Sequence, residues 1–119
     1  MLVTYVGIYA IAAIGFLLRI INLGLPKGLI FDEVYYVDGA RDLLAYGVEV
    51  DGSTAEFIVH PPVGKWLIAA GIQIFGNDEF GWRISTAVAG VISIILIGLI
   101  AQRLFRSRFL TLLATFLAT

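Results

Sequence analysis

FGWRISTAVAGVISIILIGLIAQRL, residues 80–104, is the stretch that decides the fold. Between Ala87 and Ala101 its one polar side chain is Ser93, and Arg103, Arg106 and Arg108 follow at once. A membrane-crossing helix needs roughly 20 predominantly apolar residues, so a transmembrane helix is predicted over 80–104. Working outward, residues 2–23 form a second apolar run that tolerates Thr4, Arg19 and Asn22, and a first transmembrane helix is expected there. A cleaved signal peptide fits this run poorly, because it has no basic start and no small-residue cleavage site follows it. Arg19, near the end of the run, reads as a residue reaching back to the headgroups. Residues 109–119 begin a third apolar run about half the length of a span. The chain is therefore expected to be the N-terminal part of a longer, multi-span protein.

Composition agrees with that class. Of 119 residues, 60% are hydrophobic and 14% charged, against an apolar share of roughly 45–50% in average soluble proteins. The fold class implied is an all-α integral membrane protein. A net charge of −1 argues against a nucleic-acid partner. With no cysteine, disulfides and thiolate metal sites are excluded. Three arginines in one short turn mark the cytoplasmic side, and all nine acidic residues fall between Asp32 and Glu79. The segment 24–79 is then an extracytoplasmic loop, the N-terminus is cytoplasmic, and the plasma membrane is the expected location.

Within that loop Gly24, Pro26 and Gly28 break the first helix. An amphipathic surface helix is expected over about 32–46, with Val34, Val37, Ala40 and Leu44 as its apolar stripe. Asp32 is placed as its N-cap, Glu33 in its first turn and Gly47 as its C-cap. Residues 48–53 read as loop with a turn at Asp51-Gly52, and 55–59 as a short extended piece. Pro61 keeps His60 out of helical geometry, and Pro62 suits the first turn of a second surface helix over 62–75. That helix is expected to bury Trp66, Leu67, Ala70 and Ile74.

The candidate chemistry sits in the same loop. Asp32 and Glu33 diverge by about 100° on a helix, so one carboxylate can face a reacting group while the other orients it. On spacing alone, a capped helix with an acidic first turn is the stronger reading of this pair. His60, stiffened by two prolines, suits a phosphate contact or a plain loop histidine. Lys65 and Arg83 suit an anionic ligand or simple headgroup anchoring. Arg41 is placed as an i, i+3 partner of Asp38, and Tyr35, Tyr36 and Trp66 as interfacial aromatics. A base candidate with up to four cations fits group transfer from a lipid-linked phosphate. No spacing argues for a metal site, the sequence requires no cofactor, and room remains for a divalent cation.

Phe31-Asp32-Glu33-Val34-Tyr35-Tyr36, Val59-His60-Pro61-Pro62-Val63-Gly64-Lys65, Phe75-Gly76 and Phe80-Gly81-Trp82-Arg83 resemble bacterial, especially actinobacterial, protein O-mannosyltransferases. The resemblance is dense over about residues 24–90. It implies the N-terminal part of a C-type glycosyltransferase membrane fold that uses polyprenyl-phosphate mannose as donor. Serine and threonine hydroxyls of secreted proteins would be the acceptors, and the sugar carbon would invert. It further implies Asp32 as base and Glu33 as its supporting carboxylate. His60, Lys65, Arg83 and Arg41 would form the donor-phosphate and active-site framework. Transferases that modify lipid A carry lysine where this chain has His60, which favours a protein acceptor. The alternatives are a lipid or polysaccharide acceptor, and a non-enzymatic scaffold or transporter fragment. The 119 residues alone are expected to be inactive.

Overall fold

Five helices account for most of the chain: α1 (Leu2–Ile20), α2 (Glu33–Tyr46), α3 (Pro62–Phe75), α4 (Glu79–Phe105) and α5 (Arg108–Leu117). A minimal antiparallel hairpin, β1 (Val50–Asp51) with β2 (Thr54–Ala55), lies between α2 and α3 and pairs Val50 with Ala55. β1 falls inside the segment expected to be loop. These elements come from a computed structural model that describes residues 2–51, 54–55 and 60–119. The expected turn at Asp51-Gly52 and most of the extended piece 55–59 lie outside the described residues. Among the described residues α1 and α4 are the two helices long and apolar enough to cross a membrane. The protein is mostly helical and of membrane type.

Contacts divide the chain into two units. The first combines α1, α4 from Thr86 onward, and α5. Its helices approach closely because small residues face large ones. A Cβ on Gly7 would come 2.6 Å from Leu112, and one on Gly98 would meet Thr115 Oγ1 at 2.7 Å and Ile8 at 2.8 Å. Without a hydrophobic drive inside lipid, such close packing is what joins membrane helices. Thr111 and Thr115 are fully buried, and their hydroxyls donate to the Ser107 and Thr111 carbonyls at 2.8 and 2.7 Å. Each polar group is thereby satisfied within its own helix. Ser107 caps α5 by accepting from the Leu110 N–H. Arg19 is half-buried and folds back to donate to the Gly15 carbonyl at 3.2 Å, with its side chain over Gly90. It packs within its unit.

The second unit, Asn22–Ser85, packs α2 on α3 with the first turns of α4. Its core is Val37, Ala40, Ile68, Ala69, Ile72 and Trp82, with Leu29 and Tyr36 against it. Of the stripe expected on α2, Val37 and Ala40 are buried while Val34 and Leu44 are exposed. The face expected to be buried on α3 is the outer one: Trp66 is 56% exposed, and Leu67, Ala70 and Ile74 are exposed too. Nearly every α3 position is apolar, so periodicity could not choose a face. The choice falls to small residues that let backbones meet.

Gly71 and Gly81 make that meeting. A Cβ on Gly71 would lie 2.3 Å from the Gly81 carbonyl oxygen, and one on Gly81 only 1.8 Å from that of Gly76. Gly76 ends α3 at a φ of 108°, and Asp78 Oδ1 accepts from the Gly81 N–H at 2.8 Å to start α4. A Gly81→Ala substitution therefore strikes backbone rather than a movable side chain. Overpacking of this kind costs typically 1–3 kcal/mol, and we expect about the upper end. Thermal unfolding of the purified protein checks this; a midpoint unchanged from wild type would show that the α3–α4 corner is not so tight.

Candidate active site

The loop from Asn22 to Asp32 is built around one guanidinium. Arg83 sits one turn into α4 and is only 10% exposed at its side chain. Its Nη1 donates to the Leu23 and Pro26 carbonyls at 3.1 and 3.0 Å, and its Nη2 to the Gly28 carbonyl at 3.1 Å. The Nε and Nη2 groups grip Glu33 Oε1 and Oε2 at 2.6 and 2.9 Å. An arginine has five N–H donors in a rigid fork, and these five contacts match them. Glu33 also accepts from the Ile30 N–H at 3.0 Å. Glu79, at the start of α4, takes the Gly28 N–H at 2.9 Å and Lys27 Nζ at 3.3 Å. Two consecutive bends of the loop are thus pinned to one helix end.

The Arg83 hydrogen bonds hold the Glu33 carboxyl below its ordinary value of 4.5, with the Ile30 N–H and the Arg83 charge acting the same way against burial. The buried Trp82 indole N–H adds a small push in this direction, although it completes no well-formed hydrogen bond among the described residues. A carboxyl whose folded value is depressed contributes stability above its unfolded value and loses it as pH falls through the folded one. The Glu33–Arg83 clamp is therefore expected to be insensitive to pH near neutrality and to release only at a pH below the ordinary carboxyl value of 4.5. Acid unfolding of wild type against Glu33→Gln checks this, the variant losing that part of the acid limb.

Beside this clamped carboxylate stands one with nothing to hold. Asp32 is exposed, and its carboxylate has no hydrogen bond or ion pair among the described residues. It occupies the N-cap position of α2 without capping it: its φ and ψ are −68° and −12°, already helical. The side chain cannot then reach back to the N–H groups of the first turn, while its carbonyl accepts from Tyr35 and Tyr36. The entry is turned by Phe31, which is left-handed (φ 50°) and 85% exposed. A non-glycine residue in that region carries local strain and is found preferentially at functional sites. Asp32 is thus presented by a fixed backbone and kept out of the capping role that spacing favoured.

The other candidates are arranged around α2. Tyr36, one turn on from Asp32, places its ring 4.7 Å from that of His60, tilted by 37°. It packs against the core, and it joins the His60-Pro61-Pro62 segment to the α2 face that carries Asp32. Arg41 does not pair with Asp38. Its Nε donates to Asn77 Oδ1 at 3.0 Å and its guanidinium lies 5.4 Å from the Trp82 ring centre. Tertiary packing offers Arg41 an aromatic face and an amide, both better placed than an exposed carboxylate one turn away. It braces the residue that precedes Arg83.

Lys65 is buried and ion-paired with Glu49, the two side chains only 5% and 2% exposed. Gly39 makes room for them, since a Cβ there would sit 2.9 Å from Glu49 Oε2 and from Lys65 Cδ. The sequence reading missed Glu49. It lies in a stretch read as loop, and no spacing signal connects it to a lysine 16 residues later. Asp42 fixes the approach by accepting the Val50 N–H at 3.1 Å. Among the described residues no three histidine, aspartate or glutamate side chains converge to hold a metal ion.

The arrangement is a framework of neutralised charge pairs, with Asp32 unpaired among the described residues and His60 stacked on Tyr36, one helical turn along α2. The sequence profile of dolichyl-phosphate-mannose-protein mannosyltransferase matches residues 59–119. The polyprenol-phosphate-mannose–protein mannosyltransferase of Mycolicibacterium smegmatis is 43% identical over 100 residues, covering 82% of this chain and 19% of its own length. That of Mycobacterium tuberculosis strain H37Rv is 44% identical over 93 residues, 75% of this chain and 18% of the relative. An undecaprenyl phosphate-alpha-4-amino-4-deoxy-L-arabinose arabinosyl transferase of Pseudomonas aeruginosa is 35% identical over 77 residues, 63% of this chain and 14% of the relative. No solved structure matches the chain significantly. The chain spans about a fifth of the length of the mannosyltransferases it matches. It belongs to the dolichyl-phosphate-mannose-protein mannosyltransferase family.

Proposed function

We propose that the protein of which this chain forms part transfers mannose from polyprenyl-phosphate mannose to serine or threonine hydroxyls of secreted proteins. The observation that carries the reading is the unpaired Asp32 carboxylate beside a Glu33 whose oxygens are taken by Arg83. In this mechanism Asp32 accepts the proton of the acceptor hydroxyl as its oxygen attacks the sugar carbon. The bond from that carbon to the phosphate oxygen breaks, the lipid phosphate leaves with the electron pair, and the sugar carbon inverts. A phosphate leaving group carries its charge away without needing a proton, so cations and fixed dipoles stabilise it.

We assign His60 to the donor phosphate, since its half-buried ring stands on the Tyr36 side of α2. Lys65, Arg83 and Arg41 serve the framework, Lys65 through Glu49 and Arg41 through Asn77 and Trp82. In the C-type glycosyltransferase arrangement we infer, α2 and α3 lie at the extracytoplasmic membrane face. The exposed apolar surface of α3, with Trp66 on it, favours this placement. The N-terminus and the turn at Arg106 are then cytoplasmic. Nothing in the proposed chemistry requires a metal ion.

Membranes containing the native protein, supplied with labelled polyprenyl-phosphate mannose and a threonine-rich peptide, are expected to label the peptide. Label appearing only in the lipid or polysaccharide fraction would instead assign the acceptor to the alternative class. Absence of label from every fraction would sink the transferase reading.

A further inference from the structure

The turn between α4 and α5 carries a cavity that sugar transfer leaves unused. Arg103, Arg106 and Arg108 line it together with Thr4, Tyr5 and Ser107, around a volume of about 740 Å³. That is within the usual range of small-molecule sites, roughly 300–1,000 Å³. The unit that holds it contains no aspartate or glutamate, because all nine lie between Asp32 and Glu79. Among the described residues none of the three arginines forms an ion pair. No carboxylate among the described residues therefore competes with an anionic ligand for them.

Depth narrows the choice of ligand. The apolar run of α4 stops at Ala101, and α1 begins its own apolar run at Leu2, so the cavity opens where two membrane-length helices end. Headgroups occupy that level of a bilayer. Positive charge at this point serves topology, but topology asks only for the sign of the charge and is met by lysine in any arrangement. Three arginines in the lining of one cavity are a more specific arrangement. Arg106 moreover stands in the left-handed position after α4 (φ 50°), where glycine fits without strain. The α5 helix begins at Arg108, so the positive end of its dipole adds to the same field.

We propose that this cavity binds the phosphate headgroup of an anionic phospholipid. Arginine forks grip phosphate oxygens in pairs, and Thr4, Tyr5 and Ser107 in the same lining carry hydroxyls that are able to donate. Basic pockets between membrane helices recognise acidic headgroups by this chemistry.

Native mass spectrometry of the native protein, released from detergent with added phosphatidylglycerol or phosphatidylcholine, tests the site. Wild type is expected to retain phosphatidylglycerol at least about tenfold better than phosphatidylcholine. Replacing all three arginines with glutamine is expected to abolish that preference. Replacing them with lysine keeps the topological charge and is expected to weaken retention several-fold, because the paired contacts are lost. Full retention by the lysine variant would show that charge alone is at work and would overturn the site. So would a wild type without preference between the two lipids. Inorganic phosphate added without lipid distinguishes a free-ion site: if it displaces phosphatidylglycerol at millimolar concentration, the lipid assignment fails.

Discussion

Asp32→Asn in the native protein is expected to lower mannose transfer by about 10²–10⁴-fold, the usual contribution of a positioned general base. The substitution is nearly isosteric, and it removes no contact, because the Asp32 carboxylate has no partner among the described residues. The Asp32 carbonyl, which accepts from Tyr35 and Tyr36, is untouched. Expression, unfolding midpoint and donor binding are therefore expected to stay at wild-type values while the rate collapses. That separation distinguishes a base from a structural residue. Labelled-mannose incorporation measured beside thermal unfolding decides it. Wild-type turnover in Asp32→Asn would falsify the assignment, and a parallel loss of stability would mean that Asp32 supports the fold.

Arg83→Ala is expected to fail in the opposite way, through the framework. It leaves the Glu33 carboxylate and the carbonyls of Leu23, Pro26 and Gly28 without the donors that hold them. Removing one partner of a largely buried pair costs about 3–5 kcal/mol, much of it the penalty of the stranded charge. Since the loop these carbonyls define leads directly into Phe31 and Asp32, activity falls with stability. Arg83→Lys is not expected to rescue it: one ammonium with three donors cannot replace a planar fork that serves five contacts. In the double variant Arg83→Ala with Glu33→Gln the stranded charge is gone, and part of the lost stability returns. A thermal unfolding cycle over the four proteins measures this coupling. Purely additive losses would show that the pair is not the clamp described here.

These two neighbours, both legible in the sequence as candidates, play unlike parts for a reason that spacing could not supply. Asp32 and Glu33 have the same chemistry and adjacent positions. What separates them is the backbone. Phe31 at φ 50° turns Asp32 outward, while Glu33 faces the first turns of α4. Arg83 follows Glu33 by 50 residues, and the pairing exists only because Gly71, Gly76 and Gly81 let α3 and α4 touch at backbone distance.

By itself the sequence determined what depends on near neighbours or on bulk composition. Two apolar runs of membrane length, the stop at Gly47 (φ 76°, donating to the Leu43 carbonyl) and the proline start of α3 are local events. A left-handed glycine or a proline at a first turn acts within a few residues, so it is readable without the fold. The tertiary structure alone decided which face of α3 is buried, that Arg41 braces Trp82 instead of Asp38, that Lys65 is neutralised by Glu49, and that Asp32 is left unspent. Each of these is a competition among partners distant in sequence. In a chain this apolar, hydrophobic periodicity cannot rank them; close approach at glycine and the need to pair every buried charge do.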